Sequence, residues 1–108
     1  LIKDVIIYPL KVNRDKRGIL VESLKINWEK VYGKNRPFTQ CYYSITKPGV
    51  ARDTDRWHCH PTKQEDRFVI IKGDIVIALY DWRKKSETYG RLNLFPVGEL
   101  QGDNGQYL

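Results

Sequence analysis

From residue 5 to residue 97 the chain keeps returning to short runs of β-branched and aromatic residues, each cut off by a cluster of turn formers. The runs are VIIYPL (5–10), ILVESL (19–24), FTQCYYSI (38–45), RWHCH (56–60), DRFVIIKGDIVIALYDW (66–82) and RLNLFPV (91–97). The breaks are NRDKRG (13–18), KPGV (47–50), PTKQE (61–65), RKKSETYG (83–90) and the glycine-rich 98–106. Short runs with turn signals every ~8–12 residues argue an all-β sandwich or barrel. The longest run, broken at Gly73, is apolar on both alternating faces, as expected of strands inside such a core. A single helical candidate, KINWEKVYG (25–33), sets Ile26, Val31 and Tyr32 around Trp28, with Gly33 placed to close it.

A chain of 108 residues makes one domain, 1–108. It ends on QYL, which reads as the start of another strand, so the expectation is a domain lacking its C-terminal strands. Hydrophobic content of 41% with 30% charged residues describes an ordinary soluble globular chain. No apolar stretch approaches the ~18 residues of a membrane span, and the opening LIKDVIIYPL is too interrupted by charge for a signal peptide. The expected location is the cytoplasm. Cys41 and Cys59 belong to no C-x-x-C pair and read as buried free thiols. The net charge of +6 raises the question of nucleic acid. The cations are scattered from Lys3 to Arg91 among thirteen acids, with clusters only at 34–36 and 83–85. A small phosphorylated ligand suits that surplus equally well.

Both histidines of the chain, His58 and His60, stand two residues apart. If 56–60 is extended, Arg56, His58 and His60 share one face and Trp57 and Cys59 the other. Two imidazoles roughly 7 Å apart at the backbone can converge on one ligand or metal ion, and Glu65 and Asp66 follow closely. Trp57 reads as a core residue. Asp81 and Arg83 read as structural, pinning the 83–90 turn, and Ser86 and Thr88 as turn formers without a base to make either a nucleophile.

Four collinear stretches resemble the dTDP-4-dehydrorhamnose 3,5-epimerases, sugar-nucleotide enzymes of the cupin superfamily. DKRGILVE (15–22) is similar to the family's D-x-R-G-x-x-x-E segment. FTQCYYS (38–44) with GVAR (49–52) looks like its F-x-Q-x-x-x-S and G-V-x-R elements. QEDRFVIIKG (64–73) falls where the family has Q-G-K-L-V-x-x-x-x-G, and DWRKKSETYG (81–90) keeps every spacing of D-x-R-x-x-S-x-T-[FY]-G. The resemblance covers residues 5 to 96.

It implies a cupin-type jelly-roll barrel with at most one short helix, working as a homodimer in which VIIYPL is exchanged between subunits, without a cofactor. It implies an isomerase acting on a nucleotide sugar in polysaccharide (dTDP-rhamnose) biosynthesis, with no part for nucleic acid or membrane. His58 falls on the base that removes a proton beside the C4 ketone. Arg17 and Glu22 fall on nucleotide-holding positions, Arg52 on a phosphate-side arginine and Gln40 on a substrate contact. His60 takes a position usually held by glutamine, next to the sugar, and Asp66, expected as a further substrate-binding residue, stands where the family has its lysine. Residues 54–56, TDR, are an insertion between Arg52 and the histidines. The family's general-acid tyrosine would follow residue 108. Two other readings use the same residues. His58, His60 and Glu65 resemble the first metal motif of metal-binding cupins, which would take a divalent transition metal. A sugar-nucleotide-binding cupin without catalysis is the third.

Overall fold

A computed structural model of the chain describes residues 1–32, 38–52, 54–61 and 64–98. Its regular elements are β1 (Val12–Asp15), β2 (Gly18–Val21), α1 (Glu29–Tyr32), β3 (Asp74–Tyr80) and β4 (Leu92–Gly98). The class is therefore strand-dominated with one helical turn. The strands make two separate antiparallel hairpins, β1–β2 and β3–β4, and no closed barrel occurs among the described residues.

The β1–β2 hairpin follows from four residues. Asp15, Lys16, Arg17 and Gly18 turn the chain, with Asp15 paired to Gly18 across the ladder. Asp at the first position and Gly at the fourth suit a type I turn. The Asp15 carboxylate accepts the Arg17 amide at 2.7 Å, the local bond by which Asp starts turns. Gly18 sits at φ 138°, in the region that favours glycine.

The β3–β4 ladder runs from Asp74↔Gly98 to Tyr80↔Leu92. Alternation puts Ile75/Val97, Ile77/Phe95 and Leu79/Asn93 on one face, with Val97 buried and Ile77, Phe95, Leu79 and Asn93 half-buried. The other face carries Val76/Pro96, Ala78/Leu94 and Tyr80/Leu92, all exposed. The sequence expectation of a strand covered on both sides is thus corrected: one face is partly covered and the other open. Pro96, which lacks a donor, is accommodated in a strand that has one neighbour among the described residues. At Gly98 a Cβ would lie 2.6 Å from Asp74 Oδ1 and 2.7 Å from its Cα, so only glycine closes the ladder there.

The loop between β3 and β4 is built around Asp81, a carboxylate with 3% residue exposure. Its Oδ2 accepts Ser86 Oγ and Thr88 Oγ1, each at 2.6 Å, and Arg83 Nη2 at 2.9 Å. Its Oδ1 accepts Arg83 Nε at 2.9 Å and the Arg83 amide at 3.1 Å. The guanidinium of Arg83 is the largest influence holding this carboxyl far below the usual carboxylate range, and the two hydroxyls add to it. Asp81 in turn raises Arg83 further.

The same loop receives the start of the chain. Thr88 Oγ1 accepts the Lys3 amide at 2.9 Å, and Arg83 reaches the Lys3 carbonyl at 2.8 Å and Asp4 Oδ2 at 2.9 Å. Asn93 Oδ1 accepts the Ile2 amide at 2.7 Å. Residues 1–4 thereby lie against β4 and its loop, with the Ile2 side chain buried. Further along, Leu10 is 1% exposed, and Tyr8 packs on Trp28 with ring centroids 4.9 Å apart. Arg67 donates to the Val31 carbonyl from Nε (3.2 Å) and Nη2 (2.8 Å), tying α1 to the stretch that precedes β3.

Four expected strands do not form among the described residues. Residues 5–10 form only a single bridge, at Pro9, and 38–45, 56–60 and 66–72 form no ladder. Strand propensity measures how well a side chain fits a pleated, half-buried surface. No described strand offers these segments such a surface, and Tyr42 and Tyr43 are more than four-fifths exposed. The helix is shorter than 25–33, and Gly33, its expected stop, lies outside the described residues, as do 34–36, Asp53, 62–63 and 99–108. Among the described residues no helix is long and apolar enough to cross a membrane.

Thr88→Val removes the hydroxyl that serves both Asp81 and Lys3, and is expected to cost about 1.5–3 kcal/mol of stability, read from the urea midpoint; a loss below a few tenths would break this account of the loop. Asp81 titrates lower in the folded chain than in the unfolded one. Its contribution is therefore complete above about pH 4, where the unfolded carboxyl is also ionised, and fades as the pH falls below that toward the folded value. Asp81→Asn is expected to flatten this acid limb; unchanged acid sensitivity in the variant would place it elsewhere.

Candidate functional site

The N-terminal segment, the histidine segment and the end of β3 meet around an open cleft of about 540 Å³, bordered by residues 2–5, 59–61 and 79–83. The histidine segment reaches it as irregular chain, not as a strand. Strict alternation of side chains is lost with the strand, and Cys59 and His60 both border the cleft instead of pointing apart. Asp55, at φ 63°, turns the chain into this segment. Trp57 is 64% exposed rather than in the core, and rests on Tyr80 with ring centroids 6.2 Å apart.

His60 Nε2 lies 2.8 Å from Asp66 Oδ2. Gln64 Nε2 donates to the other oxygen, Asp66 Oδ1, at 2.9 Å, and approaches His60 Nε2 at 3.4 Å. Residues 60, 64 and 66 thus make a polar cluster at the edge of the cleft. The sequence reading singled out His60 and Asp66 but missed Gln64; the spacing Gln-x-Asp, which puts both on one side of an extended segment, was the available signal.

The other expected site residues lie apart. Arg17 grips Asp15 within the β1–β2 turn, Nη2 to Oδ2 at 2.6 Å, and this pairing lowers the Asp15 carboxyl and raises Arg17. Glu22 meets Lys25 at 3.8 Å. Arg52 Nη2 donates to the Ile45 carbonyl at 3.0 Å, bridging the 47–50 turn. Gln40 is exposed, in the irregular 38–45 segment. His58 and Glu65 each take part in a polar or ring interaction, but no group of three or more His, Cys, Asp and Glu side chains placed to hold a metal ion occurs among the described residues.

Cys41 and Cys59 are free and exposed, which corrects the expectation of buried thiols. The native protein is expected to consume about two equivalents of Ellman's reagent at a rate near that of a small thiol; one fast equivalent, or none, would overturn this placement of the two segments.

Comparison with known proteins agrees with the motifs. The chain is 43% identical over 98 residues to the "Probable low-salt glycan biosynthesis epimerase Agl13" of Haloferax volcanii, which covers 91% of this chain and 59% of that protein. The chain therefore spans a little over half the length of this relative. No solved structure matches it significantly. The sequence profile of the dTDP-4-dehydrorhamnose 3,5-epimerases matches residues 1–108, and it is to this family that the chain belongs.

Proposed function

We propose that the protein epimerises or isomerises a nucleotide-linked keto-sugar by removing a proton beside a C4 ketone. The observation that carries the reading is the family match across residues 1–108. The name of the Haloferax relative, an epimerase of glycan biosynthesis, supports it. In this reading His58 is the base, since an imidazole accepts a proton near neutral pH without needing burial. Arg52 and Arg17 hold the phosphates, Glu22 helps hold the nucleotide, and Gln40 and His60 contact the sugar. The architecture proposed with it is the family's cupin-type barrel, working as a homodimer, to which the two hairpins contribute strands.

The present partners of the two arginines do not oppose this role. The Arg17–Asp15 pair is solvent-exposed, with 86% and 49% of the side chains accessible. Solvent screens an exposed pair and leaves it little net stabilisation, so exchanging Asp15 for a phosphate oxygen costs little. A phosphate offers a charged acceptor matched to the guanidinium fork, where the Ile45 carbonyl now bound by Arg52 is neutral.

Incubation with dTDP-4-keto-6-deoxyglucose in heavy water is expected to bring deuterium into C3, C5 or both. His58→Asn is expected to lower that exchange by about 10²–10⁴-fold, the usual contribution of a general base. A wild-type protein that binds the nucleotide sugar without exchange would sink the enzymatic reading and leave the binding cupin. The reading also expects chelator-treated protein to keep its activity. Loss on chelation with recovery on adding a divalent transition metal would favour the metal-binding cupin instead.

A further inference from the structure

We propose that Asp66, itself held by Gln64, is a positioning residue that fixes which nitrogen of His60 is offered to the substrate. The inference rests on the reading of His60 as a sugar contact and adds to it the device that aims the ring.

An aspartate carboxylate can only accept hydrogen bonds. Asp66 Oδ2 lies 2.8 Å from His60 Nε2, so Nε2 carries a hydrogen directed at Asp66 in the neutral ring and in the imidazolium alike. Nδ1 is then the nitrogen left to act elsewhere. In the neutral ring it is an acceptor for a sugar hydroxyl. Gln64 donates to Asp66 Oδ1 at 2.9 Å and so holds the carboxylate in the orientation that meets the ring. Its 3.4 Å approach to His60 Nε2 is a packing contact, because that nitrogen's hydrogen is already given to Asp66.

The placement suits positioning better than direct contact for Asp66. His60 borders the cleft and Asp66 does not. The His60 side chain is 40% exposed and that of Asp66 35%, so both are partly shielded and the ring keeps an open side. His60 and Asp66 are six apart in sequence, and the described residues of this stretch, 60–61 and 64–66, take part in no strand ladder. Among the described residues no strand pairs with the segment that carries the ring, and the Asp66–Gln64 pair supplies the restraint on it.

Long-range proton–nitrogen NMR of the imidazole nitrogens separates the two tautomers directly, with no need of turnover. The chain has two histidines, so a His60→Asn spectrum assigns the ring. Wild type is expected to show the Nε2–H form. Asp66→Ala is expected to shift the ring toward a mixture with Nδ1–H, and Asp66→Asn to keep Nε2–H, because the amide oxygen can still accept from it. In the exchange assay, Asp66→Ala and His60→Ala are each expected to raise KM roughly tenfold, the loss of about one hydrogen bond, with kcat changed far less. The double variant is expected to be no worse than either single one, because both changes remove the same contact. A wild-type ring in the Nδ1–H form, or an Asp66→Ala ring indistinguishable from wild type, overturns the proposal. So does a double variant whose KM is the product of the single effects. Tautomers as expected in a protein without exchange would leave the positioning role standing and overturn the enzymatic reading alone.

Discussion

The structure depends on one buried carboxylate. Asp81 gathers the hydroxyls of Ser86 and Thr88 and the guanidinium of Arg83, and so decides the shape of the loop between β3 and β4. The loop's outward-facing groups then receive Lys3 and Asp4. A charge removed from water is tolerable only when its lone pairs are filled, and here each oxygen is. Because Arg83 and Thr88 each have one side on Asp81 and another on residues 3–4, the loop and the start of the chain are organised by the same contact. One wall of the cleft, residues 2–5, is held against another, 79–83, in this way.

Elsewhere the order is looser, and the reason is burial. The covered face of β3–β4 has Ile75, Ile77 and Leu79 opposite Val97, Phe95 and Asn93, whereas the reverse face leaves Val76 and Leu94 more than three-fifths exposed. Only Ile2, Leu10, Val31 and Val97 are buried apolar residues among those described. Hydrophobic burial is the main favourable term in folding. Segments such as 38–45, whose apolar side chains stay in solvent, have little of it to hold them in a ladder.

The candidate site combines a well-restrained wall with a less regular one. The histidine segment carries no ladder, so its geometry comes from side-chain bonds: Asp66 on His60, Gln64 on Asp66, and Trp57 against Tyr80. Arg17 is held by Asp15 on the surface and Arg52 by the Ile45 carbonyl. The carboxylate of Asp66 is engaged by the neighbouring imidazole of His60.

Local chemistry was legible without the structure wherever a few adjacent residues settle the outcome. Asp15 and Gly18 dictate a tight turn, Gly73 a break before β3, and the spacing of Asp81, Arg83, Ser86 and Thr88 a pinned loop, because each acts over a handful of bonds. Family membership was legible for the same reason, being written in spaced motifs. The site was only partly so: His60 and Asp66 stood out as residues, but their pairing, and the part of Gln64 in it, depended on how the fold brings residue 60 against 64 and 66. The tertiary structure alone decided which apolar runs become strands. A run such as 38–45 or 56–60 has the composition of a strand, yet a ladder needs a partner for its backbone and cover for its side chains. Neither is a property of the segment itself.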